Sequence, residues 1–204
     1  HLAWGFYGHR LALYRNTQPH QGFQLLKQLA EQLNVPYFVF TSNVDGQFQK
    51  AGFDPKFIYE CHGSIHHIQC LNACTNEVET SDTLKPQINS DSCQWLGNLP
   101  KCLECGGLMR PNILMFNDAT WISTQSDQQD KRLKKWLNQY RSPLVIEIGA
   151  GTAIPSVRMF SEQFSPHLLR INPREAKVAK NGGMSLPYTA LNAISLIFNA
   201  LITN

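Results

Sequence analysis

The chain has 204 residues, 43% of them hydrophobic and 16% charged, with a formal net charge of +3. That composition is globular rather than disordered, and so small a charge is too weak to argue for a nucleic-acid partner, where a basic stripe would be expected. No apolar run approaches the roughly 18 residues of a membrane span, and no basic-then-apolar leader opens the sequence, so neither a membrane partner nor a secretion signal is expected.

In chain order, residues 19 to 33 read as a helix, with Phe23, Leu26, Leu29, Ala30 and Leu33 on one stripe. Pro36 restarts the chain, and YFVFTS (37–42) reads as a buried strand. FIYEC (57–61) reads as a short strand and SIHHIQC (64–70) alternates like one. Residues 75 to 99 are polar and aperiodic, which predicts an irregular excursion. NILMF (112–116) reads as extended, 124 to 140 as a charged amphipathic helix, and PLVIEIG (143–149) as a central strand entering a glycine turn. A helix over 156 to 164, a strand at HLLRIN (167–172) and a closing helix over 187 to 202 complete the pattern. Strands alternating with helices predict an α/β fold: a Rossmann-like, mostly parallel sheet with helices on both faces. Residues 1–204 read as a single domain, interrupted by an inserted module at 66–110.

That module carries five of the six cysteines. CLNAC (70–74) and CLEC (102–105) place two close thiol pairs in sequence, the second followed by Gly106 and Gly107. Two such pairs can bring Cys70, Cys74, Cys102 and Cys105 to one tetrahedral zinc. Two disulfides or free thiols are the competing reading, and Cys93, His66 and His67 are substitute ligands. A site closed by four thiolates leaves no position for substrate, so the zinc is expected to be structural. Reduced thiols favour a cytosolic, cytoplasmic compartment.

In an open α/β sheet, ligands bind beyond the carboxyl ends of the strands. The polar groups at predicted strand ends are Ser42, Asn43 and Asp45 after the first strand, His62 after FIYEC, Gly149-Ala150-Gly151-Thr152 after PLVIEI, and Asn172 after HLLRI. Parallel strands would put all four groups on one edge. Taken singly, each has a plain structural explanation. An Asn or Asp after a strand is usually a turn former, and a lone His more often supports structure than catalyses.

Read together, these segments resemble a family. TSNVDGQFQKAG (41–52) is similar to the T-Q-N-I-D-x-L-H-x-x-A-G motif of the sirtuins, the NAD-dependent protein deacylases. CHGSIHHIQC (61–70) resembles their E-x-H-G-x-x-x-x-x-x-C motif, and CLECGGLMRPNILMF (102–116) resembles C-x-x-C-G-G-x-x-R-P-x-V-V-x-F-G-E, in the same order along the chain. The resemblance implies NAD as co-substrate and an acylated-lysine protein or peptide as partner. It implies that Asn43 and Asp45 contact the nicotinamide riboside end, with Ser42 beside them, and that His62 is the general base. In that chemistry the acyl oxygen attacks C1′ of the ribose as nicotinamide leaves, and the base activates a ribose hydroxyl, giving O-acyl-ADP-ribose. It further implies that Gly149, Ala150, Gly151 and Asn172 receive the adenosine ribose. Leu114 and Phe116 then line the acyl-lysine tunnel, and the adjoining backbone pairs with the peptide by strand addition.

The sequence departs from the pattern in places. The family Gln is Ser42, Gly-Thr-Ser has become Gly149-Ala150-Gly151, and F-G-E has become Phe116-Asn117-Asp118, which replaces a glycine that eases peptide approach. The family's opening G-A-G-x-S loop precedes the point where this sequence starts; a piece of a longer product and a shortened homologue acting as a binding module both fit. NAD hydrolysis or ADP-ribosyl transfer is an alternative on the same fold. Tyr7 and Arg10 form a Y-x-x-R pair one helical turn apart, resembling the pair in sirtuins that remove malonyl, succinyl or glutaryl groups. The competing reading puts Arg10 on a solvated helix face and Tyr7 in the core.

Overall fold

The computed structural model describes residues 1–179 and 182–202. Its elements are α1 (Leu2–Asn16), α2 (Gln21–Gln32), β1 (Val39–Thr41), α3 (Gln47–Lys50), β2 (Ile58–Glu60), β3 (Gly63–Cys70), β4 (Val78–Thr80), β5 (Ile88–Asn89), β6 (Gln94–Trp95) and β7 (Met109–Ile113), followed by α4 (Thr124–Gln139), β8 (Val145–Ile148), α5 (Ser156–Ser161), β9 (Leu168–Ile171), β10 (Met184–Leu186) and α6 (Ala190–Ile202). No described helix is long and apolar enough to cross a membrane. The chain divides into two compact units, His1–Gln18 with Thr41–Lys131 and Pro19–Phe40 with Arg132–Asn204.

The first unit holds an antiparallel sheet in the order β4-β3-β7, with Cys70 opposite Met109 and Ile68 opposite Pro111. The register shifts between Ser64 and Ile68, and His66 and His67 fall in that irregular stretch. The predicted excursion at 75–99 contains β4 and a two-stranded hairpin, β5–β6, with Ile88 opposite Trp95. These strands are two or three residues long, too short to leave a periodic trace in sequence.

Helix α1 buries Trp4, Gly5, Gly8 and Leu11 on one stripe. The Trp4 indole N–H donates to the Met109 carbonyl at 2.9 Å, and its ring meets Trp95 edge-on with centroids 5.5 Å apart. The helix approaches so closely that a Cβ on Gly5 would lie 1.7 Å from the Cys93 carbonyl oxygen, and one on Gly8 would lie 2.7 Å from the Trp95 ring. Only glycine fits there. At the far end of α1, Arg15 donates to the carbonyls of Leu84 and Ser81, both at 2.7 Å.

The second unit holds a parallel sheet, β10-β9-β8. Ile171, Ala193 and Ile194 form its buried centre, with Leu25 and Leu26 of α2 and Ile146 and Ile148 of β8 packed around them. Among the described residues the predicted strand PLVIEIG pairs with HLLRIN alone, and HLLRIN lies in the middle: β10, three residues long, supplies the second neighbour of β9. In α2, Leu29 is buried as predicted, whereas Leu33 follows the helix and is 43% exposed.

Across the parallel register Glu147 stands opposite Arg170. Arg170 donates to both Glu147 carboxylate oxygens, at 2.6 and 2.9 Å, to Glu162 at 2.9 Å and to the Lys177 carbonyl at 2.8 Å. The Ser161 hydroxyl also donates to Glu147. A bidentate, hydrogen-bonded pair is the arrangement in which buried opposite charges are tolerated.

Candidate functional site

In the first unit, the segment after β1 runs alongside the turn that carries His62. The Cys61 amide donates to the Thr41 carbonyl at 2.9 Å and the Ile65 amide to the Val44 carbonyl at 3.0 Å, while the His66 ring donates to the Asp45 carbonyl at 3.0 Å. Ser42, Asn43 and Asp45 are thereby brought next to His62. Asn43 is exposed, and its amide donates to the Thr41 hydroxyl at 3.0 Å. Asp45 accepts from the Gln47 amide at 3.1 Å, so it also starts α3, the turn-forming role an Asp commonly has.

His62 is half-buried between β2 and β3. Burial lowers its pKa, partly opposed by a hydrogen bond to the Ser42 backbone, and the net shift is downward. The ring is therefore neutral near pH 7, and a bond to a carbonyl selects one tautomer. Two features fix the turn. Gly63 has φ +75°, and a Cβ there would sit 2.1 Å from the Asn112 carbonyl oxygen. The His62 carbonyl accepts from the Leu114 amide at 2.9 Å, which ties the histidine to the segment following β7. The neighbouring Cys61 thiol is pushed up to about 11 by burial, which removes it as a thiolate nucleophile.

Leu114 is 37% exposed and Phe116 86% exposed. Asn117 has φ +56°. This explains the departure from F-G-E: the position needs a left-handed residue, and Asn is the side chain that adopts it most readily after glycine.

Tyr7 and Arg10 are both on α1. Tyr7 donates to the Met115 sulfur at 3.5 Å, and burial raises its pKa. Arg10 is exposed and its guanidinium lies 5.5 Å from the centroid of the Phe6 ring. No described contact joins the two polar ends.

The sulfurs of Cys70, Cys74, Cys102 and Cys105 all lie within 4.8 Å of one another. Neighbouring pairs are 3.4 to 3.6 Å apart, near the roughly 3.8 Å edge of a tetrahedron with zinc–sulfur bonds of about 2.3 Å. No cysteine among the described residues is in a disulfide. The Cys74 backbone N–H leads the effects that bring the Cys70 thiol down to about 6, while bonds to Cys70 and Cys102 push Cys74 up. Such a cluster readily exchanges protons for a cation, and its donor set fits zinc. The substitute ligands fall outside it: Cys93 is exposed on the Ser90 carbonyl, His66 bonds Asp45, and His67 lies 3.2 Å from the Gln125 amide.

In the second unit, Gly149 has φ +67° at the end of β8. The turn it begins is held from β9 and α5. Asn172 donates to the Ala150 carbonyl at 3.0 Å and accepts from the amides of Arg174 and Glu175, both at 2.9 Å. Arg158 donates twice to the same Ala150 carbonyl, at 3.2 and 2.8 Å, and once to the Glu175 carbonyl at 2.6 Å. The Glu175 carboxylate accepts from the Thr152 hydroxyl at 2.7 Å and amide at 3.2 Å, and those bonds lower its pKa. Asn172 is thus engaged with backbone through both ends of its amide. Arg158 and Glu175 hold this turn largely through its main-chain atoms, contacts that leave no residue-type signature in the sequence.

An α/β protein with a parallel sheet, an antiparallel module holding four thiols, and a neutral histidine beside an N-x-D segment defines a narrow class. The Sir2 family profile matches residues 2–140, and the chain belongs to that family. It is 25% identical over 202 residues to a protein of Aquifex aeolicus named NAD-dependent protein deacylase, covering 98% of this chain and 76% of that one. It is 32% identical over 152 residues to the NAD-dependent protein deacetylase of Saccharolobus solfataricus, covering 74% of this chain but 53% of that one. Among solved structures, a Sir2 homologue in complex with NAD is similar in fold, with TM-score 0.69 and 22% identity over 97% of this chain and 70% of that one.

Proposed function

We propose that this protein removes acyl groups from lysine side chains with NAD as co-substrate, forming nicotinamide and O-acyl-ADP-ribose. The observation that carries the reading is His62: neutral near pH 7, set in one tautomer and held beside the Asn43–Asp45 segment. NAD supplies the electrophilic ribose carbon and the nicotinamide leaving group. His62 takes the proton from a ribose hydroxyl as that oxygen becomes a nucleophile. Asn43 and Asp45 hold the nicotinamide riboside end, Asp45 as acceptor for a carboxamide N–H, and Ser42 stands beside them with a shorter polar reach than the family Gln. Gly149, Ala150 and Gly151 receive the adenosine ribose on their backbone, and Asn172 sets the shape of that turn.

Leu114, Phe116 and Asn117 carry the acyl-lysine peptide. The segment 66–110 acts as a module closed by zinc on Cys70, Cys74, Cys102 and Cys105, and its reduced thiols support a cytosolic compartment.

Incubating the protein with NAD and an acetyl-lysine peptide, and following free nicotinamide, tests this. Release that depends on the peptide and is lost in His62→Ala is expected. Equal release without peptide would refute deacylation and favour NAD hydrolysis.

A second, finer reading is that the acyl group is acidic. It is favoured by the Tyr7 hydroxyl, which meets a thioether, a weak acceptor that an acyl carboxylate would displace. Succinyl-lysine and acetyl-lysine versions of one peptide decide it: Arg10→Met should lose desuccinylation selectively, and an equal loss of both activities would refute a carboxylate role.

A further inference from the structure

The segment after β7 ends in an exposed aromatic on a left-handed turn, an arrangement that is mobile unless something holds it. Two side chains hold it. Arg110, on β7, donates to Asp118 Oδ2 at 2.6 Å. The same oxygen accepts from the Met115 amide at 3.4 Å, and Oδ1 accepts from the Thr120 amide at 3.3 Å and hydroxyl at 3.2 Å. Asp118 therefore closes the loop from both sides of Asn117. From α1, Tyr7 donates to the Met115 sulfur, and Arg110 reaches the same sulfur at 3.9 Å.

The contacts are out of solvent. The side chains of Arg110 and Asp118 are 11% and 6% exposed. Arg110 Nε is buried without a hydrogen-bond partner, so Asp118 is the only strong acceptor among the guanidinium's described contacts. Burial alone would raise the Asp118 carboxyl, but the bond and charge of Arg110 hold it below the usual carboxylate range. A buried charge pair does not by itself imply net stabilisation; fixing one geometry is a distinct use.

We propose that Arg110 and Asp118 are positioning residues for substrate: they hold the turn at Phe116–Asn117, and so set the Leu114–Met115 backbone before it as the edge that an acyl-lysine peptide joins as an added strand. This rests on the deacylase reading. Strand addition draws its affinity from main-chain hydrogen bonds, so a pre-ordered edge lowers the ordering cost of binding. Neither residue meets the reacting atoms.

The test separates peptide from NAD. In Asp118→Asn, which keeps shape but loses charge, KM for the peptide should rise about tenfold while KM for NAD stays within about twofold. Asp118→Glu keeps the carboxylate and should restore peptide KM to within about threefold of wild type. Without substrate, the Met115 and Thr120 amides should exchange hydrogen about tenfold faster in Asp118→Asn. Equal changes in both KM values, an unchanged peptide KM, or unchanged exchange would overturn the proposal. A wild-type protein that turns over no acyl-lysine peptide would overturn the deacylase reading and the docking role with it, while the exchange measurement would still decide whether the pair clamps the loop.

Discussion

Arg170→Met isolates what the buried pair between β8 and β9 contributes. The change removes two bonds to Glu147, one to Glu162 and one to the Lys177 carbonyl. The contacts are unequal. Glu162 is 55% exposed at its side chain, and an ion pair with an exposed partner is worth about 0.2–1 kcal/mol. Glu147 is fully buried at its side chain, with the Ser161 hydroxyl as its remaining described partner. Leaving one member of a buried pair without the other costs about 3–5 kcal/mol. We expect Arg170→Met to lose about 3–5 kcal/mol and Glu162→Gln less than about 1 kcal/mol. The double variant Arg170→Met, Glu147→Leu should recover to within about 2 kcal/mol of wild type, because no charge is then stranded. Urea unfolding, with hydrogen exchange at the β8 and β9 amides as a local probe, measures all three. A loss below about 1 kcal/mol in Arg170→Met, or a double variant as weak as the single one, would refute the reasoning. The pair lies two residues before Gly149 and Asn172, so the weakened variants should also bind NAD less tightly.

Gly63→Ala would force a Cβ to within 2.1 Å of the Asn112 carbonyl at φ +75°; a loss of about 2–4 kcal/mol in thermal or urea unfolding is expected, and a neutral result would contradict the geometry. Metal analysis should find about one zinc per chain, and Cys102→Ser should lose both metal and cooperative unfolding of the first unit. The pH dependence of kcat/KM should show an acid limb with its midpoint below 6.5, because burial disfavours the charged His62. The sign for stability is the same. Above pH 6.5 the ring is neutral folded or unfolded, and as pH falls below that value the unfolded state takes up the proton first, so this residue's contribution weakens toward acid. An acid limb centred above 7 would exclude this histidine as the base.

The four-cysteine cluster was legible because thiol chemistry and pair spacing are local properties of the chain; the structure brings the same four sulfurs together. That His62 and the N-x-D segment each sit where an apolar run stops was also legible, and the backbone bonds from Cys61 to Thr41 and from Ile65 to Val44 set the two segments side by side. Sheet order was not. It depends on β10, whose three residues Met184–Leu186 carry no period of their own, so nothing in the sequence showed that HLLRIN, rather than PLVIEIG, is the strand with two neighbours among the described residues. The four-residue helix α3 fell below the length at which periodicity appears. Asn172 was found for its place at a strand end, but its bonds to Ala150, Arg174 and Glu175 are long-range or main-chain contacts that residue type does not encode.

The stripe of α1 that meets the β5–β6 hairpin packs into the same core as the four-cysteine cluster. Cys70 and Cys102 lie in the same buried cluster as Trp4 and Trp95, with Tyr7 packed against it. Metal binding and helix docking therefore draw on one set of packed atoms, and a coupling free energy between two equilibria is reciprocal. Zinc affinity becomes a readout of the helix. A bulky substitution at Gly8, remote in sequence from every thiol, should make the metal easier to strip with a chelator. A ligand that seats α1 more firmly should make it harder to strip, by the same factor that zinc strengthens that ligand's binding.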